Sequence, residues 1–365
     1  MTEPLYASWA PVFEVAGDVR GELARDLLEL TVEESTDGLK TLVARFRAFG
    51  PHENAAEERL LYLEGEPFDF GVELVVNLGP PGLARQVFSG KVSALEASFE
   101  VEREPQVVIF AEDRLMDLRM TRRFRTYTET TDAEIAEAIA AEHGLSAQVD
   151  APGPRYDVVQ QWNQSDLAFL RDRARLLRAE LWLADDTLHF VARENRAATE
   201  LTLVNGNDLL KVDLRADLAH QRTAVRVSGY DANRRAGIDE EAGTTTIDAE
   251  IAPGGLTGPA VLDRAFGARV SHRVREVPLT STEAVDWARA EMLRRARGFV
   301  QVSAETRGTP DLVVGSRVRL ERVGTPFSGD GYTVTKVCHR YDLSSGHRTR
   351  FEAERPTLTG PGGAP

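Results

Sequence analysis

A single cysteine, Cys338, among 365 residues excludes an internal disulfide framework and a thiolate metal cluster alike. Its place in an alternating run marks it as a buried, inert thiol. No stretch of about 18 apolar residues occurs, so no membrane-spanning helix is expected. The opening residues, MTEPLYASWAPVFEV, carry no basic stretch ahead of an apolar one. A Sec signal is therefore not expected, and export would need another route, such as cell lysis or a dedicated machine. Positive charge is in deficit as well: 44 Lys and Arg face 58 Asp and Glu, a net charge of -14. That balance argues against a nucleic-acid scaffold, which needs positive groups for phosphates. Solubility explains the acidity, and an acidic lumen would also repel polyanions.

Catalytic signatures are scarce. None of the seven histidines stands in an H-E-x-x-H or H-x-x-H arrangement. Cys338 and His339 are neighbours on a predicted strand, so they point to opposite faces and make a poor catalytic pair. There is no G-x-S-x-G elbow, Walker A loop or dinucleotide fingerprint. The glycine-rich run Pro253–Gly258 has no Lys-Ser/Thr after it and is expected to be a flexible loop. Glu112-Asp113 is an adjacent acidic pair of the kind that serves as acid and base in glycosidases. Adjacent residues on an extended segment diverge, however, so surface charge or a local cap is the default. Asp185-Asp186 suits a tight turn. Arg171, Arg173, Arg175 and Arg178 share a predicted helix with Asp166 and Asp172, either as a solvated face or as a dock for an acidic partner. Trp162 and Trp182 flank that helix as expected core anchors. No catalytic, cofactor-binding or metal-ligating residue is assigned.

What the chain does have is hydrophobic content, 42%, and a length that suits two or more domains. Strand-forming segments fill its two ends. Val12–Val15, Leu27–Val32, Leu42–Phe46, Val72–Leu78 and Gln86–Phe99 lie in the first hundred residues, with Gly79-Pro80-Pro81-Gly82 as punctuation. No long crossover helix separates them, which favours a barrel or sandwich over a parallel sheet. Phe299–Thr306, Ser316–Val323, Tyr332–Arg340 and Thr349–Glu354 close the chain, and Lys211–Leu214 and Thr223–Tyr230 precede them.

Helices occupy the middle. Thr131 and Glu134 form a T-x-x-E capping box for a helix ending at Gly144, and Ser165 is a good N-cap for the next. Leu167, Leu170, Ala174 and Leu177 recur at helical spacing. A third helix runs from about Ser281 to Arg297 behind Thr280 and Glu283, with Ala284, Ala288 and Met292 on one face. The polar segment Asp231–Gly258 reads as an irregular insertion, and Thr357–Pro365 as a disordered tail.

Two stretches echo one another. Gly71–Gly79 is followed by Phe88-Ser89-Gly90 and a strand, and Gly315–Gly324 by Phe327-Ser328-Gly329 and a strand. Either chance or a true duplication accounts for the shared letters. A duplication implies two like β-barrels in one polypeptide.

Several motifs, in order along nearly the whole chain, resemble the late control D family of contractile-tail proteins, which includes the hub portion of VgrG spikes. Val87-Phe88-Ser89-Gly90-Lys91-Val92 is similar to its F-x-G-x-V strand, and Val108–Leu115 to its v-x-A-x-D-x-L segment. Gln160–Leu170 is similar to Q-x-N-x-S-D-x-x-F-L, and the likeness continues through Val227–Asp231, the third helix, Thr306–Pro310 and Phe327–Val334. The resemblance implies an α+β, mostly β chain: two related β-barrel tube domains, a mixed α/β domain and a smaller helix-containing insertion.

The expected division is 1–105 for the first barrel, 106–204 for the mixed domain, and 205–232 with 298–356 for the second barrel. An insertion at 233–297 and a tail at 357–365 complete it. The resemblance further implies a structural, non-enzymatic baseplate hub of a phage tail or contractile injection system, assembled in the bacterial cytoplasm and carried in the particle. Its homotrimer would join a hexameric inner tube or tube initiator to a trimeric spike and touch other baseplate proteins, without cofactor, membrane insertion or specific nucleic-acid binding. VgrG-type chains continue into an OB-fold and needle; here none follows, so the spike is expected on a separate polypeptide. Two other readings stay open: a tail-tip peptidoglycan hydrolase using Glu112 or Asp113, and a carbohydrate-binding β-protein.

Overall fold

The computed structural model describes residues 9–36, 39–51, 58–63, 66–80, 82–151, 153–251, 254–274 and 276–359. Half of the chain is strand and 21% is helix. The strand-rich ends come together in one thirteen-stranded sheet. Its strands are β1 (Val12–Val15), β2 (Leu27–Ser35), β3 (Thr41–Arg47), β4 (Glu73–Leu78), β5 (Arg85–Ser98) and β6 (Gln106–Glu112) from the first part of the chain. From the rest come β7 (Glu200–Val204), β8 (Leu209–Ala216), β9 (Val300–Arg307), β10 (Arg317–Glu321), β11 (Gly329–Asp342) and β12 (Gly346–Arg355). The two-residue strand Asp18–Val19 completes it beside β1.

The order of these strands repeats. The first set runs β1-β4-β5-β6-β3-β2 and the second β7-β10-β11-β12-β9-β8, so each member has a counterpart six places later. Hydrogen bonds show how closely the halves correspond. Gly71 N–H donates to Val92 O at 2.8 Å and Val92 N–H to Val72 O at 3.0 Å. Gly315 N–H donates to Val334 O at 2.8 Å and Val334 N–H to Ser316 O at 3.0 Å. Bulges recur at matching places: after Val92 in β5 and after Val334 in β11, and after Leu27 in β2 and after Leu209 in β8. Leu42 faces Ala111 as Val302 faces Ala353, and all four are buried. One polarity differs: β1 and β4 are antiparallel, β7 and β10 parallel.

Alternation builds each half. Leu74, Val76 and Leu78 of β4 are buried between more exposed residues, as are Leu42, Ala44 and Phe46 of β3. They join Phe13, Phe68 and Tyr62 in one apolar cluster, while Val302, Ala304, Val318, Leu320, Tyr332 and Phe351 form the matching one. Burying each large side chain contributes roughly 1.5–3 kcal/mol.

The sheet is open. Its path ends at β8 and at Asp18–Val19, and no pairing among the described residues closes either half. The two closed barrels expected from the sequence are, within one chain, two open six-stranded halves joined at a β2–β11 seam. β6 and β7 lie beyond the expected boundaries at 105 and 204, because both pair into this sheet.

Between the halves, the strands Arg122–Thr130 and Tyr156–Ser165 form a two-stranded ribbon, and Ser146–Asp150, Thr187–Ala192 and Ala179–Ala184 a three-stranded sheet. Helix α1 (Asp132–Glu142) starts at the Thr131–Glu134 capping box, with Glu134 N–H on Thr131 Oγ1 at 3.2 Å and Thr131 N–H on Glu134 Oε2 at 2.9 Å. Helix α2 (Asp166–Leu177) starts at Ser165, whose Oγ accepts from Ala168 N–H at 3.2 Å, and ends in the left-handed Arg178. Leu167, Leu170, Ala174 and Leu177 are buried on one stripe. Helix α3 (Ser281–Arg297) is capped by Thr280, but Glu283 bonds Leu279 N–H at 2.9 Å, so the reciprocal half of the expected box is displaced by one residue.

The segment expected to be irregular is partly regular. Ala236–Gly243 pairs with Ala224–Asp231, which also takes Val270–Arg273 in parallel. This separate three-stranded sheet packs Val225, Val227 and Ile238 against Ala284, Trp287, Ala288 and Met292 of α3. Ala224–Asp231 therefore lies outside the large sheet. Thr357–Thr359 of the expected tail pairs with Gly255–Thr257, while 360–365 lie outside the described residues, as do most of the N-terminal stretch and Pro253 of the glycine-rich loop.

Candidate functional site

The seam between the halves shows what this sheet does at its edges. β2 and β11 pair antiparallel, with Cys338 opposite Glu33, His339 opposite Val32 and Tyr341 opposite Leu30. One face is apolar and covered: Leu30, Val32 and Val337 are almost fully buried. The other carries charge pairs, Lys336–Glu33 and Arg340–Glu29, both at 2.9 Å.

Beyond the seam, several edges of the sheet stay unpaired among the described residues, two of them on strands equivalent to the seam's own. One is β5 past Val92, the other is β8 from Leu210 on. On the first, Ala97 is exposed, and so is Phe99 just past the strand's end, at 61%. On the second, Val212 and Leu214 are only half-buried and Leu210 is exposed. Free strand edges with apolar neighbours are templates for pairing with another chain. A second exposed patch lies on the ribbon, where Phe124 (75% exposed) stands opposite Trp162 (65%).

A cleft of about 1030 Å³ opens between α2, α3 and the second half of the sheet. Arg171, Arg175, Arg178, Arg295 and Arg297 line it together with Glu180, Glu291 and Glu354. Its floor is an ion-pair network. Arg193 Nε lies 2.6 Å from Glu180 and its Nη1 2.6 Å from Glu354 of β12, while Arg196 holds the other Glu180 oxygen at 2.9 Å. Burial opposes the charge on Glu180, yet Arg193 and Arg196 keep its carboxyl below the usual range. These contacts fasten the mixed region to the second half.

The residues singled out by sequence do not converge. Glu112 pairs with Arg119 at 2.5 Å. Asp113 is buried and accepts from Lys40 N–H at 3.1 Å and Leu115 N–H at 3.0 Å, so it caps the short helix Leu115–Arg119. Burial pushes its carboxyl up to about 6. Both of its oxygens are occupied by backbone donors, which is a local cap and not an acid–base pair. Asp185 takes a left-handed conformation in the turn, and Asp186 pairs with Arg114 at 2.5 Å.

Cys338 is half-buried on the outward face, not fully buried as expected. Burial and then the Glu33 carboxylate raise its thiol. His339 points inward, 3.1 Å from Thr349 Oγ1 and 3.3 Å from His347 Nε2. Arg173 departs from its cluster: its side chain is only 13% exposed, paired with Asp132 and stacked 4.5 Å over the Tyr156 ring. Trp162 is no core anchor, since alternation on a two-stranded ribbon turns it to solvent. Trp182 stacks on His189 at 4.5 Å with Arg196 at 4.0 Å on the ring.

Sequence reasoning missed the role of the Q-x-N-x-S-D motif. Asp166 is almost fully buried and collects Gln161 Nε2 at 2.8 Å, His143 Nε2 at 2.9 Å and Arg123 Nε at 2.9 Å. Burial acts against its ionisation, yet these donors hold its carboxyl below the usual range. The motif is thus a structural knot that ties the ribbon to the ends of both helices. The five-residue gap between Gln161 and Asp166 was its only sequence signal. Among the described residues, no group of three His, Cys, Asp or Glu comes together to hold a metal, and no helix is long and apolar enough to cross a membrane.

The family model described as the Alg8 N-terminal domain matches residues 53–342. No curated protein matches the sequence. Among solved structures, a 43 kDa tail protein of prophage MuSo2 from Shewanella oneidensis is similar with a TM-score of 0.70 at 13% identity, covering 95% of this chain and 98% of that one. A tail protein from Neisseria meningitidis follows at 0.67 and 11% identity, covering 95% and 96%. An E. coli component of the type VI secretion system gives 0.57 at 12% identity, covering 90% of this chain and 73% of that one. The chain has the fold of phage tail proteins and of VgrG-like secretion components.

Proposed function

The chain belongs to the family described as the Alg8 N-terminal domain, and from its tail-protein fold we propose that it is the structural hub of a contractile tail or tail-like injection particle. The observation that carries this reading is the repeated strand order, β1-β4-β5-β6-β3-β2 followed by β7-β10-β11-β12-β9-β8. A chain with two equivalent halves presents six like units when three copies assemble. Such a homotrimer meets a sixfold inner tube on one side and a threefold spike on the other. The open halves then belong to barrels that close only between copies, in keeping with the late control D and VgrG-like hub resemblance. On this reading the domains are a first half through β6, a mixed region, a second half from β7, and the α3-bearing insertion within it.

The proposed role is mechanical and needs no reacting group. Glu112 and Asp113, the residues a tail-tip peptidoglycan hydrolase would use, are engaged with Arg119 and with backbone N–H groups. The outward face of the sheet mixes signs, Glu33 and Glu305 with Lys336, Arg340 and Arg350. Cytoplasmic assembly and later residence in the particle follow from the same role.

Cryo-electron microscopy of particles isolated from the producing cells tests the proposal. Three copies between tube and spike are expected. Intact, contracting particles from a deletion strain would refute it, and so would cell-wall clearing by the purified chain.

A further inference from the structure

The β2–β11 seam is made once inside the chain, but its two participants each have a counterpart with a free edge. β11 corresponds to β5 and β2 corresponds to β8. Matched hydrogen bonds place Val92 on Val334, and matched bulges place Leu27 on Leu209. Carrying the seam's register across these matches gives a second pairing that one chain cannot make with itself. Resting on the hub reading above, we propose that β5 of one copy pairs antiparallel with β8 of the next. In that register Glu96 stands opposite Arg215 and Ala97 opposite Leu214, and continued just past the end of β5 it sets Phe99 opposite Val212 and Glu100 opposite Lys211.

Two features of the sequence fit that register. Glu96 and Glu100 meet Arg215 and Lys211, so both acidic residues on this edge face a cation. The local partners of Glu100, Arg215 and Lys211, which are Arg103, Asp217 and Asp213, are exposed pairs that exchange at little cost. Apolar residues fall opposite one another on the core-facing side, Ala97 with Leu214 and Phe99 with Val212. Their counterparts at the seam show what pairing does to them. Val337 and His339, which match Leu95 and Ala97, are 2% and 5% exposed, and Leu30 and Val32, which match Val212 and Leu214, are 0% and 2%. The residues on the free edges are half-buried or exposed because the strand that would cover them is on another molecule. Repetition of the same pairing from copy to copy closes the open sheet into a ring in which intrachain and interchain seams alternate.

Cysteine pairs test the register in a Cys338→Ser background. Opposed residues alternate between hydrogen-bonded and non-hydrogen-bonded types, and both types lie within disulfide reach. Glu96→Cys with Arg215→Cys, and Ala97→Cys with Leu214→Cys, therefore sample one of each. Mild oxidation of the full-length chain, free and in purified particles, is expected to give interchain disulfide-linked species up to a trimer on non-reducing gels. Glu96→Cys with Lys211→Cys, four residues out of register, is expected to give none. Charge reversal supplies a second readout: Glu96→Arg or Arg215→Glu alone weakens self-association roughly fivefold to tenfold, and the two together restore it. Oligomers or particles that contain the chain but yield no cross-link at either matched pair overturn the strand pairing and leave the hub reading standing. Preferential cross-linking of the shifted pair overturns the register. A chain that stays monomeric in solution and is missing from particles overturns both.

Discussion

The Lys336 ammonium stands 2.9 Å from the Glu33 carboxylate, across the strand pair that joins the two halves of the sheet. Both groups are substantially solvated, so the pair contributes less than about 1 kcal/mol. The opposite face of the same seam, with Leu30 at 0% and Val337 at 2% exposure, carries the stability. Lys336→Ala is expected to leave the urea midpoint almost unchanged. Leu30→Ala is expected to cost about 3 kcal/mol by the same measurement. Equal losses would mean that the charge pair holds the halves together.

Gly90 sits where β5 crosses β6. A Cβ there would lie 2.2 Å from the Glu112 carbonyl oxygen and 2.8 Å from the Phe88 ring. The first contact is backbone and cannot give way as a flexible side chain would. Gly90→Ala is therefore expected to destabilise by about 3 kcal/mol or more, seen as aggregation on expression or a much lower melting temperature. A wild-type melting curve would show that the strand has room to shift.

Acid should weaken the protein through its buried histidines before carboxylates of ordinary pKa protonate. Burial brings His347 down to about 4, and burial together with His347 takes His339 well below its ordinary value. A histidine with a depressed folded pKa binds its proton more readily once unfolded. Its stabilising contribution is therefore present above the unfolded value near 6.5 and lost as pH falls toward the folded one. At pH 5 His347 alone accounts for about 2 kcal/mol. Asp113, raised to about 6, works in the opposite direction over the same window, because the folded state holds its proton more tightly. Urea midpoints between pH 7 and pH 5 should fall, fall more steeply in Asp113→Asn, and flatten in His347→Gln. A flat wild-type profile with an unchanged Asp113→Asn profile would show that these groups are solvated.

Asp166→Ala strands Arg123, Gln161 and His143 without their shared acceptor. A loss of about 3 kcal/mol in unfolding free energy is expected. Asp166→Asn should recover part of it, since one carbonyl oxygen remains to accept. Identical midpoints for the two variants would contradict the network.

The exposed pair Phe124 and Trp162 supports little of the fold, because both rings lie on the solvent face of a two-stranded ribbon. Replacing both with Ala is expected to change stability by no more than about 0.5 kcal/mol. If this patch seats another particle component, the variant will fold normally yet appear in particles at reduced occupancy. Normal occupancy would remove the patch from the assembly surface.

Part of the site was legible in the sequence through local chemistry. Hydroxyl caps and helical stripes located α1, α2 and α3, and alternation located most of the sheet strands, because these signals act within a few residues. The echo between Gly71–Gly79 and Gly315–Gly324 is structural, since both glycines open equivalent strands with matching hydrogen bonds. The second part of the echo is not: with Val92 matched to Val334, Phe88-Ser89-Gly90 and Phe327-Ser328-Gly329 are three residues out of step. Trp162 was misplaced because a tryptophan is a core residue only where something covers it. Asp166, Gln161 and His143 gave little sign of their meeting, because polar networks depend on which backbones approach.

By itself, then, the sequence determined most of the sheet strands and where α1, α2 and α3 begin, for these follow from periodicity and from side chains bonding their own backbone. Only the tertiary structure decided that Leu30 and Val32 are covered by β11, whereas Val212 and Leu214 of the equivalent strand meet solvent. The two strands carry the same apolar alternation and differ only in the neighbour that reaches them. A strand's partner is fixed by the whole chain's path, not by the strand.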